Sequence, residues 1–552
     1  MNLWEFLKAE SDLRAPKLIV MAAIAGFSNA LLMALVNAGA RLAAETPSAD
    51  EEAGQTRLFM AFAITIVLYI VSQRHLLRTA NFEVESVVRR VRVRIADKIR
   101  GADLMPLEAL GREQIYASIN RDTQIVSQAA APAIIAIQAG IMVFFSLLYV
   151  AYLRPMAFIL TVVVVGIGLV IHFGKHAEMM ADLSESAMRE GQFFGYLSHM
   201  LEGFKEVKQN SARSDDLFDT LETAAESVRD LKTRSGYLFT DHYLFSQTTF
   251  YFLIATMVFI LPRLAQTAFS DVVTRLTAAI LFILGPLSSL VGTIPVFSQA
   301  SVAVANLQRL ETQLEQLQRE AKDRDEENDA APEEFHEIRL TEVRFAYRDR
   351  QGVPTFELGP LSLSIPKGEL LFLVGGNGSG KSTLLKLLAG LYYPDSGKIE
   401  LDGRDLADVG YTSYRNLFSV IFTDYHLFQR LFGLRHVRAE LVSALLNNMQ
   451  IADKTRFVKG RFINQELSTG QRKRLALIVS LLENRPICIF DEWAADQDPT
   501  FRHHFYTEIL PALQQQGKTI IAATHDDRYF DVADRVLKME AGGFTVIKSA
   551  QQ

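Results

Sequence analysis

Six long apolar runs fill the first 300 positions of the chain, and short strand-like and helix-like stretches fill the rest. The runs are Leu18–Asn37, Leu58–Val71, Ala133–Leu153, Met156–Phe173, Tyr243–Leu261 and Val272–Val296. A helix needs roughly 20 apolar residues to cross a bilayer. The second run is short and borrows Gln73 and its neighbours at its edge. The last contains Pro286 and Pro295, tolerable where neighbouring helices cover the freed carbonyls. For the first run a secretory signal is the rival reading, because Ala38–Gly39–Ala40 has the look of a cleavage site. Its apolar core of about 20 residues exceeds the roughly 7–15 of a signal peptide. The pattern therefore predicts six spans.

The loops orient them. Glu45–Gln55 carries Asp50, Glu51 and Glu52 but no Lys or Arg, whereas Arg89, Arg90, Arg92, Arg94, Lys98 and Arg100 follow the second run. The positive-inside rule puts that basic segment and both termini in the cytoplasm. Two cytoplasmic loops, about 79–130 and 176–242, are long and helical in period. Folded as hairpins, about 50 residues each would project roughly 35–40 Å. The spans are expected to continue as levers whose turns, Glu113–Asp122 and Gly203–Asn210, touch the second domain. The alternative is a pair of solvated helices with no task.

Ala303–Arg319 reads as a helical extension, and Lys322–Glu334 is charged, nearly free of apolar residues, and contains Pro332. That composition marks a linker. The expected domains are 1–305, with six spans and two long cytoplasmic loops; 306–334, extension and linker; and 335–552, soluble α/β. Mean hydropathy of +0.12 fits such a mixture. Net charge of −6 gives no reason to expect nucleic acid. The single cysteine, Cys488, excludes an intramolecular disulfide and reads as a small buried hydrophobe.

Chemistry enters at Gly375–Gly376–Asn377–Gly378–Ser379–Gly380–Lys381–Ser382–Thr383, which fits G-x-x-x-x-G-K-[ST]. It follows a strand-like Leu370–Val374 and precedes a helix former. Glycines let the backbone wrap phosphate oxygens while the helix aims free N–H groups at them. Lys381 would reach the β- and γ-phosphates, and the Ser382 hydroxyl would hold Mg²⁺. Downstream, the apolar strand Ile487–Phe490 ends in Asp491–Glu492. The first acid can serve the Mg²⁺ shell and the second can orient or deprotonate water. Leu467–Ser468–Thr469–Gly470–Gln471 opens a basic, then apolar helix and would present its N-terminus to an anion.

The order phosphate loop, L-S-x-G-Q, apolar strand with Asp-Glu, then histidine resembles the ATP-binding cassette (ABC) proteins. The resemblance implies a type I ABC exporter-like, all-α six-helix transmembrane domain followed by an α/β P-loop ATPase domain. It also implies a homodimer in which Leu467–Gln471 of one copy closes over ATP held by the phosphate loop of the other. Tyr347 falls where the family stacks an aromatic on adenine, Asp498 where an aspartate communicates across the dimer, and His525 where a histidine contacts the γ-phosphate. Three features depart from the pattern. Thr423 replaces the usual glutamine, although its hydroxyl can still serve Mg²⁺ or water. Only 44 positions separate Thr423 from Leu467, so the helical subdomain looks shortened. Arg456–Gly460 stands where many exporters carry an acidic segment.

Glu202–Lys208 and Leu417–Phe428 look closest to the bacterial cyclic-peptide and siderophore exporters, of the syringomycin and pyoverdine type. The expectation is therefore ATP- and Mg²⁺-dependent export of a peptide-like molecule from a multi-pass protein of the inner membrane, among membrane lipids. Export of a lipid or hydrophobic drug, and a membrane-anchored regulatory ATPase, are the alternatives. Import is disfavoured because importers usually carry the cassette on a separate chain. Asn29, Asn37, Gln138, His172, Gln247 and Thr293 are candidates to line a cavity, although such residues more often bond between helices.

Overall fold

The computed structural model describes residues 3–10, 15–43, 49–174, 176–260, 270–324, 335–349, 351–464 and 466–548. It divides into two compact units: Met1–Arg100 with Leu110–Glu315, and Gly101–Ala109 with Gln316–Gln552.

The first unit is helical. Ala49–Arg100 forms one helix of 52 residues, so the second apolar run does continue without a break into the basic segment. Between Gln55 and Arg100 there is no glycine or proline to stop it, and Gly101 follows its end. Ser211–Ala255 and Ser270–Arg324 are comparably long, the latter passing through Pro286 and Pro295. Among the described residues, four helices are long and apolar enough to cross a membrane: Gly54–Arg100, Ile115–Leu153, Ser211–Ile260 and Ile283–Lys322. Two shorter apolar stretches, Val20–Val36 and Pro155–Ile167, fall on the first and fourth expected runs. Apolar packing joins Val150, Ala157, Phe250, Leu253, Ile283 and Leu287. At the basic end Arg94 pairs with Glu10 at 2.7 Å and with Glu311, and Lys98 reaches Glu311 at 3.1 Å.

The polar residues proposed for a cavity mostly bond to their own unit. Asn29 Nδ2 lies 3.2 Å from the Met142 sulfur, and Gln138 exchanges amide hydrogen bonds with Gln73. Gln247 donates to the Tyr243 hydroxyl at 2.9 Å, and the Thr293 hydroxyl donates to the Leu290 carbonyl. The side chains of Asn37 and His172 lie outside the described residues.

The second unit is α/β. Its first strands are β1 (Glu337–Arg348), β2 (Pro354–Pro366), β3 (Leu370–Val374), β4 (Ser396–Leu401), β5 (Arg404–Asp405) and β6 (Phe418–Ile421). The remainder are β7 (Phe457–Val458), β8 (Arg461–Phe462), β9 (Ile487–Asp491), β10 (Thr519–Ala523), β11 (Arg535–Glu540) and β12 (Gly543–Lys548). One sheet runs β2-β1-β4-β5 and is antiparallel; the other runs β12-β11-β3-β10-β9-β6. In the second, β11, β3, β10, β9 and β6 are all parallel. The buried runs of β3, β9 and β10 have apolar residues on both faces, as a covered parallel sheet requires. Among the described residues between Thr423 and Leu467, the one helix of more than two turns is Ala439–Asn448, followed by the β7–β8 hairpin, in keeping with a shortened subdomain.

A piece of the first long loop belongs to this unit. Leu104 and Met105 pack on the cluster that includes Phe345, Leu388 and Tyr392. The Tyr393 hydroxyl donates to Asp103 at 2.6 Å, and the Tyr392 hydroxyl donates to Glu108 at 3.0 Å. Glu113–Asp122, the expected contact segment, lies in the helical unit.

Candidate nucleotide site

In a parallel sheet, ligands gather at the carboxyl ends of the strands. Gly375 follows β3, Thr423 follows β6, Asp491 closes β9 and His525 follows β10, so four distant sequence segments meet along one edge. Gly375 has φ 150°, and a Cβ there would lie 2.4 Å from the Met539 carbonyl oxygen. Only glycine fits that approach. Lys381 is 5% exposed and donates to the carbonyls of Gly375 and Gly376 at 2.9 and 3.2 Å. The Ser379 hydroxyl is buried and makes no hydrogen bond of ordinary length.

Asp491 is 1% exposed, and neither carboxylate oxygen makes a hydrogen bond of ordinary length. Burial raises its pKa above the usual carboxylate range; the Ser382 hydroxyl and Lys381 oppose this, while Glu492 and Asp424 add to it. A buried carboxylate beside a serine hydroxyl is a hard-oxygen donor set that fits Mg²⁺. Thr423 stands exposed after β6, and its neighbour Asp424 is the residue whose charge reaches Asp491.

Glu492 adopts a left-handed conformation, φ 49° and ψ 34°. Its carboxylate meets His525 Nε2 at 2.8 Å and Lys381 Nζ at 3.4 Å. Burial pushes its pKa up, but His525 and Lys381 outweigh that and hold it below the usual range. An ionised carboxylate only accepts, so the imidazole Nε2 carries the proton here.

Ser468 caps the helix Thr469–Glu483 in a reciprocal capping box with Gln471: the Ser468 hydroxyl accepts from the Gln471 amide at 3.4 Å, and the Gln471 side chain accepts from the Ser468 amide at 3.2 Å. Ser468 and Thr469 are exposed. No hydrogen bond or ion pair among the described residues joins Leu467–Gln471 to Gly375–Thr383. Asp498 caps the helix Pro499–His504 through the Phe501 amide at 2.9 Å and pairs with Arg474. Tyr347 is half-buried, edge-on to Phe345 and to Tyr392.

Sequence reasoning missed several neighbours of these groups. Asp424 adds its charge to the burial that raises the pKa of Asp491. Lys473 and Gln497 link the L-S-T-G-Q helix to the loop after Glu492, and Arg502 binds the carbonyls of Ala495 and Gln497. Lys473 and Arg474 did have a readable signal: with Arg472 they make three consecutive cations at the start of a helix that then turns apolar.

The fold and this edge define a P-loop ATPase joined to a helical membrane unit. Residues 358–495 match the ABC transporter family model. The chain is 33% identical over 466 residues to the ATP-binding protein SyrD of Pseudomonas syringae pv. syringae, covering 83% of this chain and 82% of SyrD. It is 31% identical over 280 residues to the ATP-dependent lipid A-core flippase of Thiobacillus denitrificans, covering 46% and 47%. A solved bacterial Atm1-family ABC exporter with ATP bound superimposes with a TM-score of 0.77 at 18% identity, covering 96% of this chain and 93% of that one. The chain belongs to the ABC transporter family and has the exporter fold. It is a membrane protein with a cytoplasmic ATPase domain, and it couples hydrolysis of ATP, with Mg²⁺, to transport.

Proposed function

We propose that two copies of this chain export a peptide or peptide-like small molecule, of cyclic-peptide, siderophore or peptide-antibiotic class, across the bacterial inner membrane by alternating access. The carrying observation is the reach of the likeness to SyrD. Its 466 residues far exceed 335–552, so it runs through the membrane region where a substrate is chosen. The resemblance of Glu202–Lys208 and Leu417–Phe428 to peptide and siderophore exporters points the same way. A lipid substrate is the second reading, favoured by the likeness to the lipid A-core flippase, which covers less than half of the chain.

In this reading Lys381 and the amides of Gly375–Thr383 bind phosphates, and Tyr347 stacks on adenine. Ser382, Asp491 and Thr423 serve Mg²⁺, which when bound neutralises charge on the phosphate oxygens. Glu492 is ionised and accepts the proton of the attacking water; His525 holds its carboxylate and faces the γ-phosphate. Leu467–Gln471, through Ser468 and Gly470, completes the partner's site, and Asp498 carries its state across the dimer. Both sites then hydrolyse. ATP-dependent uptake into inside-out vesicles tests the substrate class with labelled cyclic lipopeptides, siderophores and lipids. Accumulation of a peptide-like compound is expected; accumulation of lipid alone would overturn it.

A further inference from the structure

A glutamate at φ 49° is unusual outside glycine and costs on the order of 1 kcal/mol or more unless its surroundings impose it. Three grips impose it here. On one side the Glu492 amide donates to the Ala523 carbonyl at 3.1 Å, at the end of β10. At the far end the carboxylate meets His525 and Lys381. The third grip is Lys473, whose Nζ donates to the Glu492 carbonyl at 2.7 Å.

Lys473 is 4% exposed, and its ammonium also pairs with Asp496 at 2.7 Å, which offsets the cost of burying the charge. Its backbone is pinned as well: the Trp493 indole donates to the Lys473 carbonyl at 2.9 Å and stacks on Phe505. Lys473 thus stands two residues beyond Gln471, on the helix that begins in the capping box, and grips the peptide group of Glu492 from behind. Gly470 abuts the same loop, since a Cβ there would lie 2.6 Å from the Asp496 carbonyl oxygen.

We propose that Lys473 is a positioning residue for hydrolysis, which holds the Glu492 carbonyl so that its carboxylate faces the water. The helix that presents L-S-T-G-Q outward and the carboxylate that acts on the chain's own nucleotide are thereby one mechanical piece. This rests on the reading of Glu492 as proton acceptor.

The test uses the full-length transporter in proteoliposomes. Lys473→Met keeps the length of the stem and removes the donor; Lys473→Gln keeps a neutral donor for the carbonyl. The Met variant is expected to lose on the order of 10²-fold in kcat for ATP, the scale of a small misplacement at a reacting group, with KM within about 3-fold of the wild type. The Gln variant should stay within about 3-fold of wild-type kcat. Wild-type turnover in the Met variant, an equal loss in both variants, or a loss of kcat matched by a rise in KM would each overturn the proposal. If the Met variant does not fold, Lys473→Leu takes its place with the same expected split. Glu492→Gln, measured alongside, separates the two readings. A dead Glu492→Gln with an active Lys473→Met sinks only the role of Lys473, whereas an active Glu492→Gln sinks the role of Glu492 itself.

Discussion

In the helical unit Gln73 and Gln138 direct their amides at each other and Asn29 turns to a methionine sulfur, whereas in the ATPase unit Asp491 has two buried oxygens, and Ser379 a buried hydroxyl, that make no ordinary hydrogen bond. Leaving a buried polar group unpaired costs about 1–3 kcal/mol. A fold tolerates that where the group is shaped for a ligand, and the Mg²⁺ and phosphate oxygens of ATP are such ligands. Paired polar residues inside a helix bundle instead hold helices together. The contrast teaches how two kinds of buried polar group differ in use: the amides of Gln73 and Gln138 are spent on each other, while the oxygens of Asp491 and Ser379 stay open beside the phosphate loop.

The sharpest way to break that contrast is at Glu492. Glu492→Gln should lower ATP turnover by about 10²-fold or more, the usual worth of a general base, while nucleotide binding is retained. Near-normal phosphate release from purified protein would remove the ATPase edge from the account. A smaller effect is expected at Gly470→Ala. The new methyl meets the Asp496 carbonyl, so the capped helix must shift, and turnover should fall about 10-fold with an ordinary fold by circular dichroism. Unchanged turnover would mean that the helix and the loop after Glu492 move independently.

The mildest effect belongs to the helical unit. Gln138→Leu leaves Gln73 without its partner and should destabilise by about 1–2 kcal/mol, read as a lower unfolding temperature, with peptide-stimulated ATPase activity kept. A normal unfolding temperature together with lost stimulation would place Gln138 in the substrate path. The distinction between the units would then fail.

Much of the ATPase edge was legible because its determinants are local. Gly375–Thr383 is a single loop, Ser468 and Gln471 form a capping box three residues apart, and Asp491–Glu492 ends a continuous apolar strand. Each carries its geometry within one element. The Lys473–Glu492 contact was not legible, since it needs a left-handed residue at a strand end and a helix packed behind it. Neither follows from periodicity. The same holds for Gln73 and Gln138: composition shows that amides lie in apolar helices, but only helix rotation decides whether they meet. Thr423 was read by its place in a motif, while it is the next residue, Asp424, that adds to the charge around Asp491.

The inclusion of Gly101–Ala109 in the ATPase unit makes that unit discontinuous along the chain. During synthesis this segment emerges early and its seat around Tyr392 and Tyr393 emerges late, with all of Leu110–Glu315 made in between. The C-terminal stretch does not supply all of the ATPase core from its own residues. It closes on a piece made earlier, and a copy in which that segment is misplaced keeps an open apolar seat next to its tyrosines. A complete ATPase core thus contains residues from both ends of the chain's synthesis.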